Sequence, residues 1–306
     1  MKTRILFFAL MLSGFVSFAQ QDAQYTQYMY NTLNVNPAYA GSRNVVSVFG
    51  MHRTQWVGLE GAPVTNNLSI HMPIDNTRLG VGLSFVNDRL GPTIENTISA
   101  DVSYSIPTSE DYKLSFGVKG TANFFNLDVN KTRAVNVTDP GYQNASSFTP
   151  NVGAGLYLHS DKTYIGVSVP NFLQTTRFAE NATATQVSVN KERMNLYVIA
   201  GHVFDLSSDI KFKPAALVKA IQGSPLQADL SGNFMYKDKF VLGAAYRWSA
   251  AVSLMAGFQA NQNLYIGYGY DLETTRLTNY NSGSHEIFVR YEFSKNVKRI
   301  VSPRFF

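Results

Sequence analysis

Hydrophobic and polar residues alternate with a period of two along most of the chain. The clearest run is residues 79–88, in which large apolar residues alternate with glycine and serine. Because successive side chains of a β-strand point to opposite faces, this pattern predicts strands with one apolar and one polar face. Turn-forming residues separate the repeats of the pattern. Together they predict fourteen strands, at residues 44–56, 65–74, 79–88, 93–106, 113–127, 151–159, 163–169, 193–205, 210–220, 226–235, 240–248, 251–260, 264–271 and 284–293.

The connections between these strands fall into two classes of length. Six turns of three to six residues alternate with seven connections that include the long loops 128–150, 170–192 and 272–283. Bacterial outer-membrane barrels have an even number of strands, short periplasmic turns and longer outer loops. The sequence therefore predicts an all-β fold, a transmembrane up-and-down antiparallel β-barrel over residues 44–293, with both termini in the periplasm.

A soluble β-sandwich is the alternative explanation of this alternation. It would bury the apolar face and cover its outer face with lysine and glutamate. Here charged residues make up only 15% of the chain, and the polar face is mostly serine, threonine, asparagine and glycine. Its charges are of both signs: Lys119, Lys213, Lys219, Arg247, Arg290, Glu95, Asp101 and Asp229. Such a face suits a hydrated lumen, so we favour the barrel.

Residues 1–19 have the features of a secretory signal peptide. Basic Lys2 and Arg4 precede an apolar stretch that ends at a small-x-small site, which predicts cleavage after Ala19. An uncleaved anchor is disfavoured, because the apolar stretch of about 14 residues is shorter than a bilayer requires. There is no cysteine, and the net charge of +5 falls to about +3 without Lys2 and Arg4. This charge is too weak to indicate nucleic acid as a partner.

Residues 20–43 form an N-terminal segment rich in tyrosine, glutamine and asparagine. Tyr25, Tyr28 and the apolar residues that follow have helical spacing, which predicts a short amphipathic helix over residues 22–33. The Asn36-Pro37 step would end it. Two interpretations remain open: a solvated periplasmic leader, or a plug under or inside the barrel, with its tyrosines bonded to polar groups of the lumen.

The basic C-terminal segment, residues 294–306, also has two interpretations. It contains Lys295, Lys298, Arg299 and Arg304. A solvated periplasmic tail is the ordinary expectation for a terminus. The apolar pairs Ile300-Val301 and Phe305-Phe306 would instead suit a periplasmic partner.

We find no pattern of catalytic or metal-binding residues. The five histidines lie in five different predicted strands, without HExxH spacing, a GxSxG elbow or a phosphate-binding loop. We therefore predict no enzyme activity, no cofactor and no metal site. The Gly153-x-Gly155 and Gly267-x-Gly269 steps indicate barrel curvature or close packing of a plug.

Three stretches carry a resemblance to a known family. Residues 20–41 begin with glutamines and aromatic residues and end in an Asn-Pro-Ala-x-x-Gly motif. An Arg-x-Gln-Trp motif follows at the end of the first strand, and Ser-Pro-Arg-Phe-Phe ends the chain. These stretches resemble the PorP/SprF family of type IX secretion system membrane proteins from Bacteroidetes. The family motifs fall on Asn36, Pro37, Ala38, Gly41, Arg53, Gln55 and Trp56, and Tyr25 and Tyr28 accompany them.

The resemblance implies an outer-membrane barrel of the secretion and gliding machinery. It further implies that residues 36–41 form a turn that seats the plug, and that Arg53 and Trp56 bind a partner. Two ordinary roles remain open: Arg53 as a phosphate clasp on lipopolysaccharide and Trp56 as an interfacial aromatic residue.

Our leading hypothesis is a non-enzymatic component that binds a protein partner through its long loops or its periplasmic face. The partner would be a type IX secretion component or a large secreted surface protein, in contact with outer-membrane lipid and lipopolysaccharide. A passive diffusion porin is the alternative. A channel for hydrophobic ligands is disfavoured by the serine, threonine and asparagine face.

Overall fold

A computed structural model describes residues 28–131, 144–173, 194–221, 224–293, 302 and 304. The predicted signal peptide, Tyr25 and most of the two longest loops lie outside the described residues.

The described chain is a series of antiparallel strands, each paired with its neighbours in sequence. Their bounds are β1 Val46–Thr54, β2 Val64–Pro73, β3 Leu79–Leu90, β4 Thr93–Pro107, β5 Lys113–Leu127, β6 Ala145–His159, β7 Thr163–Val169, β8 Asn195–His202, β9 Phe204–Asp205, β10 Ile210–Ile221, β11 Gln227–Tyr236, β12 Phe240–Arg247, β13 Ala251–Gln259, β14 Leu264–Glu273 and β15 Ser284–Phe293. β8 and β9 both pair with β10 and form one wall strand interrupted at Val203. β15 pairs with β1, which closes the wall. The prediction of a fourteen-stranded up-and-down barrel is confirmed.

The exterior of the wall is apolar and the interior is polar. On β3 the side chain of Leu83 is 57% exposed, whereas the adjacent Ser84 is buried. Seven of the eight predicted lumen charges are buried, and Glu95 is half-buried. A water-soluble sandwich would show the opposite distribution. The exposed apolar face therefore requires hydrocarbon around the wall.

The two ends of the barrel differ in their connections. Turns of three to five residues join the strands at one end, which we name the short-turn end, and both ends of the wall lie there. The longer connections, which join β5 to β6, β7 to β8 and β14 to β15, begin and end at the opposite end, which we name the long-loop end.

One strand begins earlier than the sequence indicates. β6 starts at Ala145 and not at residue 151, because Ala145 already pairs with Leu127 of β5. Phe148 also packs on Phe124, with ring centroids 5.2 Å apart. The serines and Pro150 in this part of β6 are typical of a loop, which is why the sequence did not indicate a strand there. This part of β6 is paired with β5 alone among the described strands, and such an edge tolerates proline.

The helical elements are short. A 3-10 turn at Tyr28–Tyr30, the four-residue helix α1 at Thr32–Val35 and a 3-10 turn at Pro37–Tyr39 precede the wall. The predicted helix over 22–33 is therefore not continuous in its described part: it breaks at Asn31, whose side chain bonds to the wall instead. The helices of the described chain are all too short to cross a bilayer.

The orientation of the two faces can be tested with one arginine on each. Leu83→Arg is expected to weaken folding into bilayers by about 2 to 4 kcal/mol, because Leu83 faces hydrocarbon in the middle of β3. Thr97→Arg is the matched control, since Thr97 lies on the lumen face beside Asn123, which bonds to Glu95. Urea-dependent folding into vesicles, followed by heat-modifiable gel mobility, measures both. Equal losses would contradict the assignment of the faces.

Candidate functional site

Residues 28–43 lie inside the barrel, and we name them the inner segment. Near the N-terminal end of the segment, the side-chain amide of Asn31 donates to Asn67 Oδ1 of β2 at 2.7 Å. Near its C-terminal end, the backbone N–H of Gly41 donates to His71 Nδ1 of the same strand at 3.1 Å. The segment therefore runs down the lumen beside β2, toward the short-turn end.

The tyrosines of the inner segment are packed among aromatic residues of the wall. The ring centroid of Tyr30 lies 5.5 Å from that of Tyr265 on β14 and 4.8 Å from that of Phe288 on β15. The Tyr265 hydroxyl donates to the Tyr30 hydroxyl at 3.2 Å. Burial raises the pKa of the Tyr28 and Tyr30 hydroxyls well above the usual value for tyrosine.

A buried lysine of the wall closes the C-terminal end of α1. Lys119 Nζ donates to the carbonyl oxygens of Leu33 at 3.2 Å and Asn34 at 3.3 Å. The last carbonyls of a helix have no partner within the helix and favour a cation. Asp101 lies 3.5 Å from Lys119 Nζ and balances its charge. This lumen pair thus fixes the inner segment at mid-height.

Asn36 of the family motif bonds both to the inner segment and to the wall. Its side-chain oxygen accepts from the Ala38 amide at 3.0 Å and so caps the 3-10 turn that begins at Pro37. Its side-chain nitrogen donates to the Leu156 carbonyl of β6 at 2.9 Å. One side chain thus shapes the turn and attaches it to the wall.

Glycines of the wall make room for the turn that follows. A Cβ atom at Gly117 would lie 2.1 Å from the Ala38 amide nitrogen, and one at Gly80 would lie 2.3 Å from the Ala40 carbonyl oxygen. Gly41 has φ of +72°, a conformation that favours glycine. The backbone of the inner segment therefore packs directly on the backbone of the wall.

Arginines tie the exit of the inner segment to the short-turn end. Arg43 forms a buried ion pair with Glu292 of β15 and donates to the Tyr39 hydroxyl. Arg304 donates to the Ser42 carbonyl at 2.8 Å and contacts His159 Nδ1 at 2.6 Å. Arg304 is buried in the barrel mouth, which neither interpretation of the basic C-terminal segment included.

The Arg-x-Gln-Trp motif lies at the other end of the barrel. Arg53 is 1% exposed, and its guanidinium pairs with Asp271 at 2.6 Å and Glu286 at 3.2 Å. The possible phosphate clasp at Arg53 is therefore wrong, because the side chain points into the lumen. The Trp56 indole donates to Glu273 Oε1 at 2.9 Å, and the side chain is half-buried, so the interfacial role of Trp56 stays a prediction.

The structure thus brings the predicted residues together as two groups. Tyr28, Asn36, Pro37, Ala38 and Gly41 are in the lumen, and Arg53, Gln55 and Trp56 are near the long-loop end. Lys119 and Asp101 were predicted to face the lumen, but the other wall residues that hold these groups were not predicted: Gly80, Gly117, Asp271, Glu273, Glu286 and Glu292. One signal was available: Asp271, Glu273, Glu286 and Glu292 are four acidic residues within two neighbouring strands, β14 and β15. The described residues contain no cluster of three or more metal-ligating side chains.

A closed wall with an apolar exterior and a polar lumen defines the protein as an outer-membrane β-barrel. The chain belongs to the PorP/SprF family, since the family described as "Type IX secretion system membrane protein PorP/SprF" matches residues 17–291. The resemblance to this family is confirmed, and the matched residues include the motifs at 36–41 and 53–56 but not the C-terminal Ser-Pro-Arg-Phe-Phe stretch.

Solved structures with similar folds are porins and transport barrels of low identity. The CymD monoaromatic hydrocarbon channel is 12% identical, with a TM-score of 0.51, over 92% of this chain and 96% of that one. The P. putida toluene transporter TodX is 12% identical, with a TM-score of 0.48, over 89% and 95%. The KdgM porin is 9% identical, with a TM-score of 0.39, over 81% and 100%. At such identities the likeness is one of fold. No curated protein sequence matches the chain.

The Arg53 cluster is expected to stabilise the wall near the long-loop end. Arg53→Ala removes the cation shared by Asp271 and Glu286 and should cost about 3 to 5 kcal/mol of folding free energy. Combining it with Asp271→Asn and Glu286→Gln removes the buried negative charge and should recover most of that loss. Urea titration in detergent measures the unfolding free energy of the single and the triple variant. A triple variant no more stable than Arg53→Ala would contradict a role through charge balance.

Proposed function

We propose that the protein is a non-enzymatic barrel of the type IX secretion system whose lumen is closed and which binds a protein partner. The partner is a component of the machinery or a large secreted surface protein, and binding aids its export or attachment. The short-turn end, with both ends of the wall, faces the periplasm, as is usual for such barrels.

The observation that carries this proposal is the breadth of contacts of the inner segment. Its side chains and carbonyls bond to Asn67 of β2, Ser103 of β4, Lys119 of β5, Leu156 of β6 and Ser168 of β7. Its tyrosine rings meet β14 and β15. A segment held from so many sides obstructs diffusion. A barrel closed in this way contributes through its surfaces and not as a passive pore.

The long-loop end offers an ordered surface for a partner. In the connection 274–283, Thr275 caps the 3-10 turn Arg276–Asn279, and the Asn281 side chain donates to the Leu277 carbonyl at 2.6 Å. This framework holds Tyr280, which is 69% exposed. Exposed aromatic residues on an ordered loop are typical anchors of protein interfaces.

The closure of the lumen can be tested through the glycine contacts. Gly117→Ala and Gly80→Ala should displace the inner segment, because the added methyl group would overlap the backbone of Ala38 or Ala40. We expect steady conductance in planar bilayers from these variants and silence from the unaltered barrel.

Gly120→Ala is the matched control for this test. It lies on the same strand as Gly117, but a Cβ there meets nothing within 4 Å. It should leave the barrel silent, and deletion of residues 28–41 provides the open reference. Steady conductance of the unaltered protein would favour a diffusion porin and contradict the proposal.

Partner binding can be located with a photo-crosslinking amino acid in the native outer membrane. Placed at Tyr280, it should form adducts with secreted or type IX secretion proteins, because this side chain projects from an ordered loop. The matched position is Phe240, which is 52% exposed at the short-turn end of β12 and should form none. Adducts at neither position would contradict a partner at the long-loop end.

A further inference from the structure

A row of polar side chains crosses the outer surface of the wall near the long-loop end. His52, Asn66, Asn87 and Asn96 are direct cross-strand neighbours on β1, β2, β3 and β4. His52 Nδ1 lies 2.8 Å from Asn66 Oδ1, and the Asn87 amide donates to Asn96 Oδ1 at 2.8 Å. A longer bond of 3.4 Å joins Asn66 to Asn87. We name these four residues the polar row.

The polar row faces the membrane and not the lumen. Two residues further along the same strands and on the same face lie Leu68, Phe85 and Ile98, which are 55%, 40% and 49% exposed. They form the first apolar row below it. Two more apolar residues flank the row: Ile287 pairs with His52 at one end, and Phe124 pairs with Asn96 at the other. The row is therefore a bounded polar patch, four strands and roughly 14 Å wide.

The row has hydrogen-bond donors that it does not use internally. A primary amide carries two N–H groups, and Asn66 and Asn87 each donate one within the row. The Asn96 amide donates to no side chain or carbonyl of the described chain. Polar groups at the edge of the hydrocarbon are costly unless they find partners. The unused N–H groups can therefore donate to acceptors that the membrane supplies.

A cation lies directly above the row. Arg89 follows Asn87 by two residues on β3, on the same outer face, and it is exposed. It forms no ion pair with a carboxylate of the described residues. From the barrel middle toward the long-loop end, the surface thus presents apolar side chains, then amide donors, then a guanidinium.

We propose that the polar row and Arg89 bind the head region of an acylated, phosphate-bearing lipid. The order of groups matches such a lipid: acyl chains against Leu68, Phe85 and Ile98, acyl carbonyls on the amides, and phosphate on the guanidinium. Phospholipid and lipid A share this chemistry. A protein partner would have no reason to follow the same order with depth.

The test is lipid retention by the full-length barrel purified from outer membranes, measured by native mass spectrometry. Asn87→Leu should lower retention about threefold through lost hydrogen bonds, and Arg89→Gln about tenfold through a lost charge-assisted bond. Leucine and glutamine on this face leave the wall intact, which heat-modifiable gel mobility verifies.

Two variants serve as matched controls. Asn126→Leu changes an exposed outward asparagine on β5, outside the row, and Arg78→Gln changes an exposed arginine at the short-turn end of β3. Both should retain lipid like the unaltered barrel. Equal retention by all four variants would overturn the proposal.

The source of the lipid is identified with nanodiscs. Barrels from discs of phosphatidylethanolamine alone are compared with barrels from discs that also contain lipid A. Retention that depends on Asn87 and Arg89 in both discs supports the shared chemistry, and such retention with lipid A alone assigns the site to lipid A. Loss of a co-purifying membrane protein from Asn87→Leu, with lipid unchanged, would make the row a protein interface and overturn the proposal.

Discussion

Every second side chain of the wall faces hydrocarbon, so the polar half of each strand must find its partners inside the barrel. The lumen accordingly contains opposite charges in contact, such as Arg53 with Asp271 and Glu286, and Lys119 with Asp101. Buried ion pairs contribute little net stability in a soluble core. In a barrel the alternative for these groups is the lipid face, which is far less favourable. Because the apolar face is outside and the polar face inside, the lumen contains the charged and polar side chains of the wall.

The inner segment takes the place that water would otherwise occupy in this lumen. Its carbonyls accept from the wall, as Ala40 does from the Ser103 hydroxyl at 2.7 Å and Val35 does from the Ser168 hydroxyl at 2.6 Å. Water can make the same bonds in an open porin lumen. The wall closes through the backbone pairing of β1 with β15, whereas the segment is held mainly by side-chain contacts. Backbone pairing thus forms the wall, and side-chain contacts place the segment within it.

The wall could be predicted from the sequence because a period of two is enforced at each strand by the membrane. The positions of the short turns could be predicted as well, since turn-forming residues mark them. The early start of β6 was not, because its pairing with β5 depends on a distant strand and Pro150 suggests a loop. The inner segment illustrates the same limit. Helical spacing was visible around Tyr28, but the break at Asn31 arises from a bond to Asn67 that only the closed barrel creates.

Arginines show why the candidate site was harder to predict than the wall. Arg53 and Arg89 both lie near the long-loop ends of their strands, and the family motif drew attention to the first. Arg89 lies an even number of residues from the exposed Leu83 and Phe85 on β3, so it points outward. Arg53 directly follows the outward His52 on β1, so it points into the lumen. Arg53 therefore meets carboxylates in the lumen, whereas Arg89 meets the membrane surface. On a β-barrel a motif acquires its chemistry from the face it occupies, and a shift of one residue exchanges an internal ion pair for a contact with lipid.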